Sequence, residues 1–175
     1  MISVPEVLTA MLSLMPGPSP AWNETQEQYL ARAQVVAESV VAASDGKRQR
    51  AMAILVVFWG ESRFSPLIHA GLKLGDGGKA ICLGQHHQLT RTTEEWASLA
   101  GTDREATTRC ARATGDALVR SWHYCRALSE KFDYTEAFTL YGTGSTCRPT
   151  ESKWKNIFID RGEKWHALVT HGRIS

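Results

Sequence analysis

Apolar residues recur at helical spacing through most of the chain, which predicts a mainly α-helical protein. The first such run predicts an amphipathic helix over about residues 3–14. Pro16-Gly17-Pro18-Ser19-Pro20 follows and is expected to form a turn or short linker. A second helix, capped by Asn23 with Gln26 three residues later, is expected to end near Ala43.

The most apolar stretch, Ala51–Trp59, predicts a buried helix over about residues 47–60 that presents Glu61 at its end. Burial disfavours the charged form of a carboxyl group, so we expect Glu61 to stay protonated near neutral pH and to donate a proton to a leaving oxygen. This is the chemistry of glycosidic bond cleavage. The alternative for Glu61 is an exposed carboxylate in a surface salt bridge with Arg63.

The chain after this helix predicts an irregular segment followed by more helices. From Ser62 to Gln88 no helical period is sustained and the strand signals are weak, so an irregular or small β segment is expected. Four helices are predicted beyond it. The first is short, over 94–99, and is capped by Thr92 or Thr93; the second is long, over 104–124, and is capped by Asp103. The third runs from Asp133 or Tyr134 to Tyr141, where Gly142 and Gly144 end it, and the last covers 150–169, with Pro149 before it and Gly172 after it. The last helix is expected to bury five apolar residues: Trp154, Ile157, Phe158, Trp165 and Leu168.

Size and charge limit the classes of protein that fit. A chain of 175 residues, 43% of them apolar, is expected to form a single domain over 1–175, with an N-terminal helix and Pro-rich linker over 1–20 and a core over 21–175. The net charge of +2, with scattered Lys and Arg, gives no indication of nucleic-acid binding. The run Ala51–Trp59 is shorter than the roughly 20 residues that cross a bilayer, so no membrane span is expected. We expect a monomer.

Three short motifs resemble the lysozyme-like lytic transglycosylases and the related goose-type lysozymes, which cut peptidoglycan. The residues E-S-x-F-x-P at 61–66 resemble the first motif of that superfamily. Its Gly-rich segment and glutamine resemble GDGGKAIxxxQ at 75–85, and its tyrosine element resembles Tyr-x-x-Gly at 141–144. The three elements occur in the order that the superfamily has.

This resemblance implies a lysozyme-like helical fold and cleavage of the β-1,4 bond between N-acetylmuramic acid and N-acetylglucosamine. Glu61 would protonate the leaving oxygen and then accept the proton of the C6 hydroxyl of the same muramic acid, giving a 1,6-anhydro end. No metal and no cofactor are implied. The expected partner is the peptidoglycan glycan strand.

The resemblance also assigns roles to other residues. Gln85 is implied to contact the saccharide or orient the site, and Tyr141 to bond near the catalytic glutamate; Ser62 matches the motif. Core packing is the alternative for Tyr141, and a structural hydroxyl in the turn is the alternative for Ser62. The chain departs from the usual pattern at Cys82, where glycine is common, and at Gly142, where asparagine is common. These departures favour a second hypothesis, a non-catalytic wall-binding or virion structural module.

Other residues support alternative chemistries. Asp76 in the Gly-rich segment could be a second acid, as a hydrolytic lysozyme requires, although Asp-Gly is also a common turn. Cys82 with His69, His86 and His87 could hold zinc, or Cys82 could be a nucleophile, but no motif with the usual ligand spacing accompanies them.

Four cysteines, all in the second half of the chain, allow two disulfides in three pairings. We favour Cys82–Cys110 and Cys125–Cys147, since each would tie a loop to a neighbouring helix end; reduced thiols in a core are the alternative. A peptidoglycan substrate implies action in the periplasm or cell wall, where disulfides persist. The apolar N-terminus lacks a basic region and contains Glu6, so it does not read as a secretion signal. The resemblance then implies a phage endolysin or a virion-associated lysin.

Overall fold

The protein is mainly helical with a small two-stranded sheet, as the sequence predicts. The computed structural model describes residues 1–18, 23–89, 91–128, 132, 134–148 and 152–171, with the backbone alone for 152–154 and 171. Within these ranges there are eight α-helices: α1 Val4–Leu14, α2 Gln26–Ala43, α3 Arg48–Ser62, α4 Pro66–His69, α5 Thr93–Ala97, α6 Arg104–Leu128, α7 Tyr134–Thr143 and α8 Ser152–His171.

Helix α3 is the centre of the core. Its residues from Ala51 to Phe58 are all buried, and α1, α2, α6 and α8 pack around it. A helix that is apolar on every side needs such a surround, which explains why this run is the most apolar of the chain. The helix continues two residues further than predicted, so Glu61 lies in its last turn. Arg63 then ends it in the left-handed conformation, with φ of 51°.

Several helix ends differ from the predictions. Helix α2 is capped by Thr25, whose hydroxyl accepts from the amide of Gln28, and not by Asn23. Helix α6 begins as expected, with the Asp103 carboxylate accepting from the amide of Ala106, but it continues to Leu128. Helix α7 includes Gly142, which therefore does not end it, while Gly144 follows it with φ of 68°.

The segment between α3 and α5 is irregular, as expected. It contains the short helix α4, a 3₁₀ turn at Asp76–Gly78, and strands β1 (Ala80–Ile81) and β2 (His86–His87), which pair antiparallel. The turn between these strands carries Gln85. This segment is therefore the small β element that the sequence predicts beside the third helix.

Both predicted disulfides are present, in the favoured pairing. Cys82–Cys110 ties the turn between β1 and β2 to α6, and Cys125–Cys147 ties α6 to the segment after α7. Each bridge therefore fixes a loop against the longest helix.

Helix α8 packs one face against α3 and α7. Phe158 and Trp165 are buried, as predicted, but Ile157 is 42% exposed, because it lies off the face that carries Phe158 and Arg161. None of the described helices is long and apolar enough to span a bilayer. The predictions for Trp154, and those that fall on residues 19–20, 133, 149–150 and 172, lie outside what the structure describes.

Candidate active site

Glu61 is held by an arginine that comes from the other end of the chain. Arg161 of α8 donates from Nη1 to Glu61 Oε1 over 2.6 Å. The arginine side chain is 6% exposed and the glutamate side chain 21% exposed, so the pair lies at the edge of the core. Among the described residues Glu61 Oε2 has no hydrogen-bond partner, and it is not a buried atom. One carboxylate oxygen is therefore fixed and the other is available to a ligand.

The surroundings of Glu61 differ from the expected purely apolar ones. The Arg161 guanidinium is next to the carboxylate, and it is a charged hydrogen-bond donor. The alternative of a surface pair with Arg63 is not realised, since the Arg63 guanidinium stacks on Trp59, with Cζ 3.9 Å from the ring centroid. Glu61 is thus neither a solvated surface carboxylate nor an isolated acid in an apolar pocket.

Two glycines make room for the residues of α8 behind this pair. A Cβ atom on Gly60 would lie 2.3 Å from Arg161 Nε, and one on Gly142 would lie 2.7 Å from the Phe158 ring. Both distances are below any van der Waals contact. The glycine at 142 is therefore explained by the close approach of Phe158.

The carboxylate of Glu61 lines a cavity of about 590 Å³. Asp76, Gln85 and Tyr141 line the same cavity, so the structure brings together four of the predicted site residues. Ser62 is not among them: it is buried, and its hydroxyl donates to the Phe58 carbonyl oxygen at 2.8 Å. Ser62 therefore has the structural role that was the alternative interpretation of its position in the sequence.

The turn that carries Gln85 is held in an unusual conformation. Cys82 and Gln85 both have positive φ, 60° and 53°. Such angles are costly for residues with a Cβ atom and are found where the surroundings enforce them. Here the disulfide from Cys82 to Cys110 holds the turn against α6.

The side chain of Gln85 is fixed inside the same turn. Its Nε2 donates to the Cys82 carbonyl oxygen at 3.0 Å. Its Oε1 lies against Gly75, where a Cβ atom would be 1.3 Å away. Any side chain at position 75 would therefore displace the amide of Gln85.

Tyr141 supports this turn from α7. Its hydroxyl donates to the Gly84 carbonyl oxygen at 2.7 Å. Burial, and secondarily the nearby charge of Glu61, raise the pKa of Tyr141, so the phenol remains a donor over the ordinary pH range. Tyr141 therefore links the turn of Gln85 to the neighbourhood of Glu61.

His86 is fixed below the turn by the same group of contacts. Its Nε2 is 2.9 Å from Thr114 Oγ1, and the Thr114 hydroxyl donates to the Cys110 carbonyl oxygen. Since that hydroxyl proton is already used, we assign the His86 proton to Nε2. Burial first, and then the neighbouring positive charges, lower the pKa of His86 to about 3, so the ring is neutral at pH 7.

His69, which lies earlier in the irregular segment, makes the same kind of contact with α6. Its Nε2 is 2.8 Å from Thr107 Oγ1, whose hydroxyl donates to the Asp103 carbonyl oxygen. Burial lowers the pKa of His69 to about 4. Two neutral histidines thus fasten the irregular segment to two threonines of α6.

Asp76 lines the cavity from an exposed position. Its side chain is 67% exposed, and its Oδ2 is 3.2 Å from His87 Nε2. Asp76 also has φ of 46°, a conformation that Asp tolerates better than most residues. It is both a turn residue and a cavity residue, so the two interpretations of its sequence position do not exclude each other.

A zinc site or a cysteine nucleophile at Cys82 would require a free thiol. Cys82 is bonded to Cys110, so it is neither a thiolate ligand nor a nucleophile in this state. Within the described ranges no group of three or more His, Cys, Asp or Glu side chains is placed to hold a metal ion.

Arg161 is the site residue that the sequence reasoning missed. A signal for it existed: position 161 falls on the face of α8 that carries Phe158 and Trp165, and an arginine on an apolar helix face requires a buried partner. The identity of that partner was not readable, because 100 residues separate it from Glu61.

Comparison of the chain with protein-family models, with curated proteins and with solved structures found no match. The motif resemblance at residues 61–66, 75–85 and 141–144 therefore rests on those residues of the sequence alone.

Proposed function

We propose that this protein cleaves the β-1,4 bond between N-acetylmuramic acid and N-acetylglucosamine in peptidoglycan, with Glu61 as general acid and base. The observation that carries the proposal is the half-anchored carboxylate. Glu61 Oε1 is held by Arg161, while Oε2 is unpartnered among the described residues and Glu61 lines a cavity of about 590 Å³. Pockets of this size are typical of small-molecule sites.

The proposed reaction uses one carboxyl group. Glu61 Oε2 delivers its proton to the glycosidic oxygen of the leaving N-acetylglucosamine, and the bond from C1 to that oxygen breaks. The C6 hydroxyl oxygen of the muramic acid bonds to C1, and its proton passes to Glu61, which restores the acid. Oε1 keeps its hydrogen bond from Arg161 throughout. The product ends in 1,6-anhydro-N-acetylmuramic acid, and no metal or cofactor takes part.

Gln85 and Tyr141 are assigned supporting roles in this proposal. The amide of Gln85 lines the cavity with its Nε2 engaged by Cys82, which makes it a fixed wall for the saccharide. Tyr141 holds that wall through the carbonyl of Gly84. We propose that Tyr141 positions the turn and that Gln85 contacts the sugar.

A hydrolytic reaction is the second candidate, and Asp76 is the observation that favours it. Asp76 and Glu61 line the same cavity, as a muramidase with two acids requires. Mass analysis of the fragments separates the two reactions, since hydrolysis adds a water molecule to each new end and transglycosylation does not. Asp76→Asn should leave the rate within a few fold for transglycosylation, and should abolish a reaction in which Asp76 activates water.

The decisive experiment is digestion of purified peptidoglycan by the native chain and by Glu61→Gln. The glutamine can still accept from Arg161 but cannot donate an acidic proton, so a loss of at least about a hundredfold is expected. Glu163→Gln, an exposed change on α8, serves as the matched control. Equal digestion by Glu61→Gln and the native chain would show that Glu61 is not the catalytic acid, and no digestion by either would support the non-catalytic wall-binding or virion module instead.

From the motif resemblance and the proposed substrate, we also propose that the protein acts in the periplasm or cell wall as a phage-encoded lysin. The two disulfides support an oxidising site of action.

A further inference from the structure

A second, larger cavity adjoins the one that contains Glu61. It has a volume of about 740 Å³ and shares five lining residues with the first, among them Gln85, Leu89 and Tyr141. The turn of Gln85 and the end of α7 therefore form the boundary between two arms of one cleft. We call the arm with Glu61 the acidic arm and the other the basic arm.

The basic arm has a one-sided charge. Arg91 and Arg120 line it, and its lining, all within the described part of the chain, includes no Asp or Glu. Both arginines are close enough to His86 for their charges to contribute to the lowering of its pKa. An anionic group in this arm would therefore meet two guanidinium groups and no carboxylate.

The two arginines differ in the hydrogen bonds that they already make. Arg91 is held in place, since its Nη1 donates to the His87 carbonyl oxygen at 3.1 Å. Arg120 is exposed and has no hydrogen-bond or ion-pair partner within the described ranges. All five of its N–H donors are thus available, in the planar geometry that suits a carboxylate.

Two acids near these arginines, Glu95 and Asp116, accept hydrogen bonds from other groups. Glu95 and Asp116 lie with Arg91 and Arg120 around a neighbouring surface depression. Glu95 is engaged in the cap of α5, where it accepts from the Thr92 amide at 2.9 Å. Asp116 accepts from Arg50 at 2.7 Å.

We propose that the basic arm binds the acidic peptide stem of peptidoglycan, with a stem carboxylate on Arg120. This inference rests on the proposed function, because the glycan must lie in the acidic arm for its stem to enter the basic one. The muramic acid carries the peptide as a side branch, and a branched cleft beside Glu61 fits a branched substrate. The site would then prefer strands that carry peptides over bare glycan.

Equilibrium binding in a Glu61→Gln background tests this without turnover. The two probes are a tetrasaccharide of peptidoglycan that carries tripeptide stems and a tetrasaccharide of N-acetylglucosamine, which carries no peptide and no carboxylate. Arg120→Ala should weaken binding of the first about tenfold, as expected for a lost charge-assisted hydrogen bond, and leave the second unchanged. Arg120→Lys should keep part of the affinity, and added salt should weaken only the peptide-bearing probe.

Arg126→Ala is the matched control, since Arg126 is an exposed arginine of α6 outside both cavities. It should bind both probes like the parent. If Arg120→Ala changes neither probe, or both equally, the inference is wrong while glycan binding and the proposed function stand. If the parent binds neither probe and the native chain digests no peptidoglycan, the proposed function fails and the inference fails with it.

Discussion

Arg161 donates from Nη1 to Glu61 Oε1 over 2.6 Å, although 100 residues separate the two in the chain. The contact joins the last turn of α3 to the middle of α8, and it is possible because position 60 is a glycine. The proposed catalytic acid is therefore oriented by the C-terminal helix. A side chain that is fixed on one oxygen and free on the other presents the free oxygen to a ligand in a defined position.

Removal of Arg161 should lower the stability of the protein. Arg161→Met is expected to lower the free energy of unfolding by about 2 kcal/mol, less than for a fully buried pair because Glu61 is partly exposed. Denaturant unfolding of the native chain, both single variants and Arg161→Met with Glu61→Gln gives the coupling energy of the pair, expected at about 1 kcal/mol or more. A coupling energy of zero would show that the contact between Arg161 and Glu61 contributes nothing to the free energy of unfolding.

Gly142 should not tolerate a side chain. A Cβ atom there would lie 2.7 Å from the buried Phe158 ring, so Gly142→Ala is expected to destabilise the protein by about 1 kcal/mol or more, in spite of the better helix propensity of alanine. Thermal or denaturant unfolding measures this. Gly17→Ala, where no atom lies within 4 Å, is the control and should be neutral. Equal stability of both variants would mean that Phe158 moves aside at no cost.

The two disulfides should differ in their effect on activity. They close segments of similar length, with sequence separations of 28 and 22, so loss of either should lower stability by about 3 kcal/mol. Only Cys82–Cys110 holds the turn of Gln85 in its positive-φ conformation. Cys82→Ser with Cys110→Ser should therefore reduce the proposed peptidoglycan cleavage much more than Cys125→Ser with Cys147→Ser, assayed well below both melting temperatures. Equal losses would contradict a role of the bridge in shaping the site.

Stability should fall as the pH drops below about 6.5. The folded-state pKa values of His69 and His86, about 4 and about 3, lie below the ordinary value of 6.5. The unfolded chain therefore binds more protons in this range, which removes about 2 kcal/mol per histidine between pH 7 and pH 5. Unfolding free energies measured at both pH values check the loss.

His69→Gln should make this pH dependence shallower, because the glutamine keeps a polar group near Thr107 but does not titrate. His123→Gln, an exposed change, should leave the dependence as it is. An unchanged slope for His69→Gln would show that the buried ring is not the cause.

Much of the fold could be predicted, because it follows from local patterns. The apolar run at residues 51–58 can only be buried, and the cap of Asp103 is recognisable from neighbouring residues. Where two local signals competed, the prediction was less accurate. Thr25 replaces Asn23 as the cap of α2 because Gln28 completes a reciprocal cap with it, and Gly142 stays helical because its backbone is held inside α7.

The sequence by itself determined the class of the fold, the central helix that ends in Glu61, the small β element after it and a plausible pairing of four cysteines. Those features depend on residues close together in the chain or on a small number of combinations. Three features were decided by the tertiary structure alone. Arg161 donates a hydrogen bond to Glu61, the Gln85 amide lies against Gly75, and Arg120 lines an arm whose described lining includes no carboxylate. Such contacts depend on how distant helices pack against each other, and the spacing of residues along one helix carries no record of which distant partner it will meet.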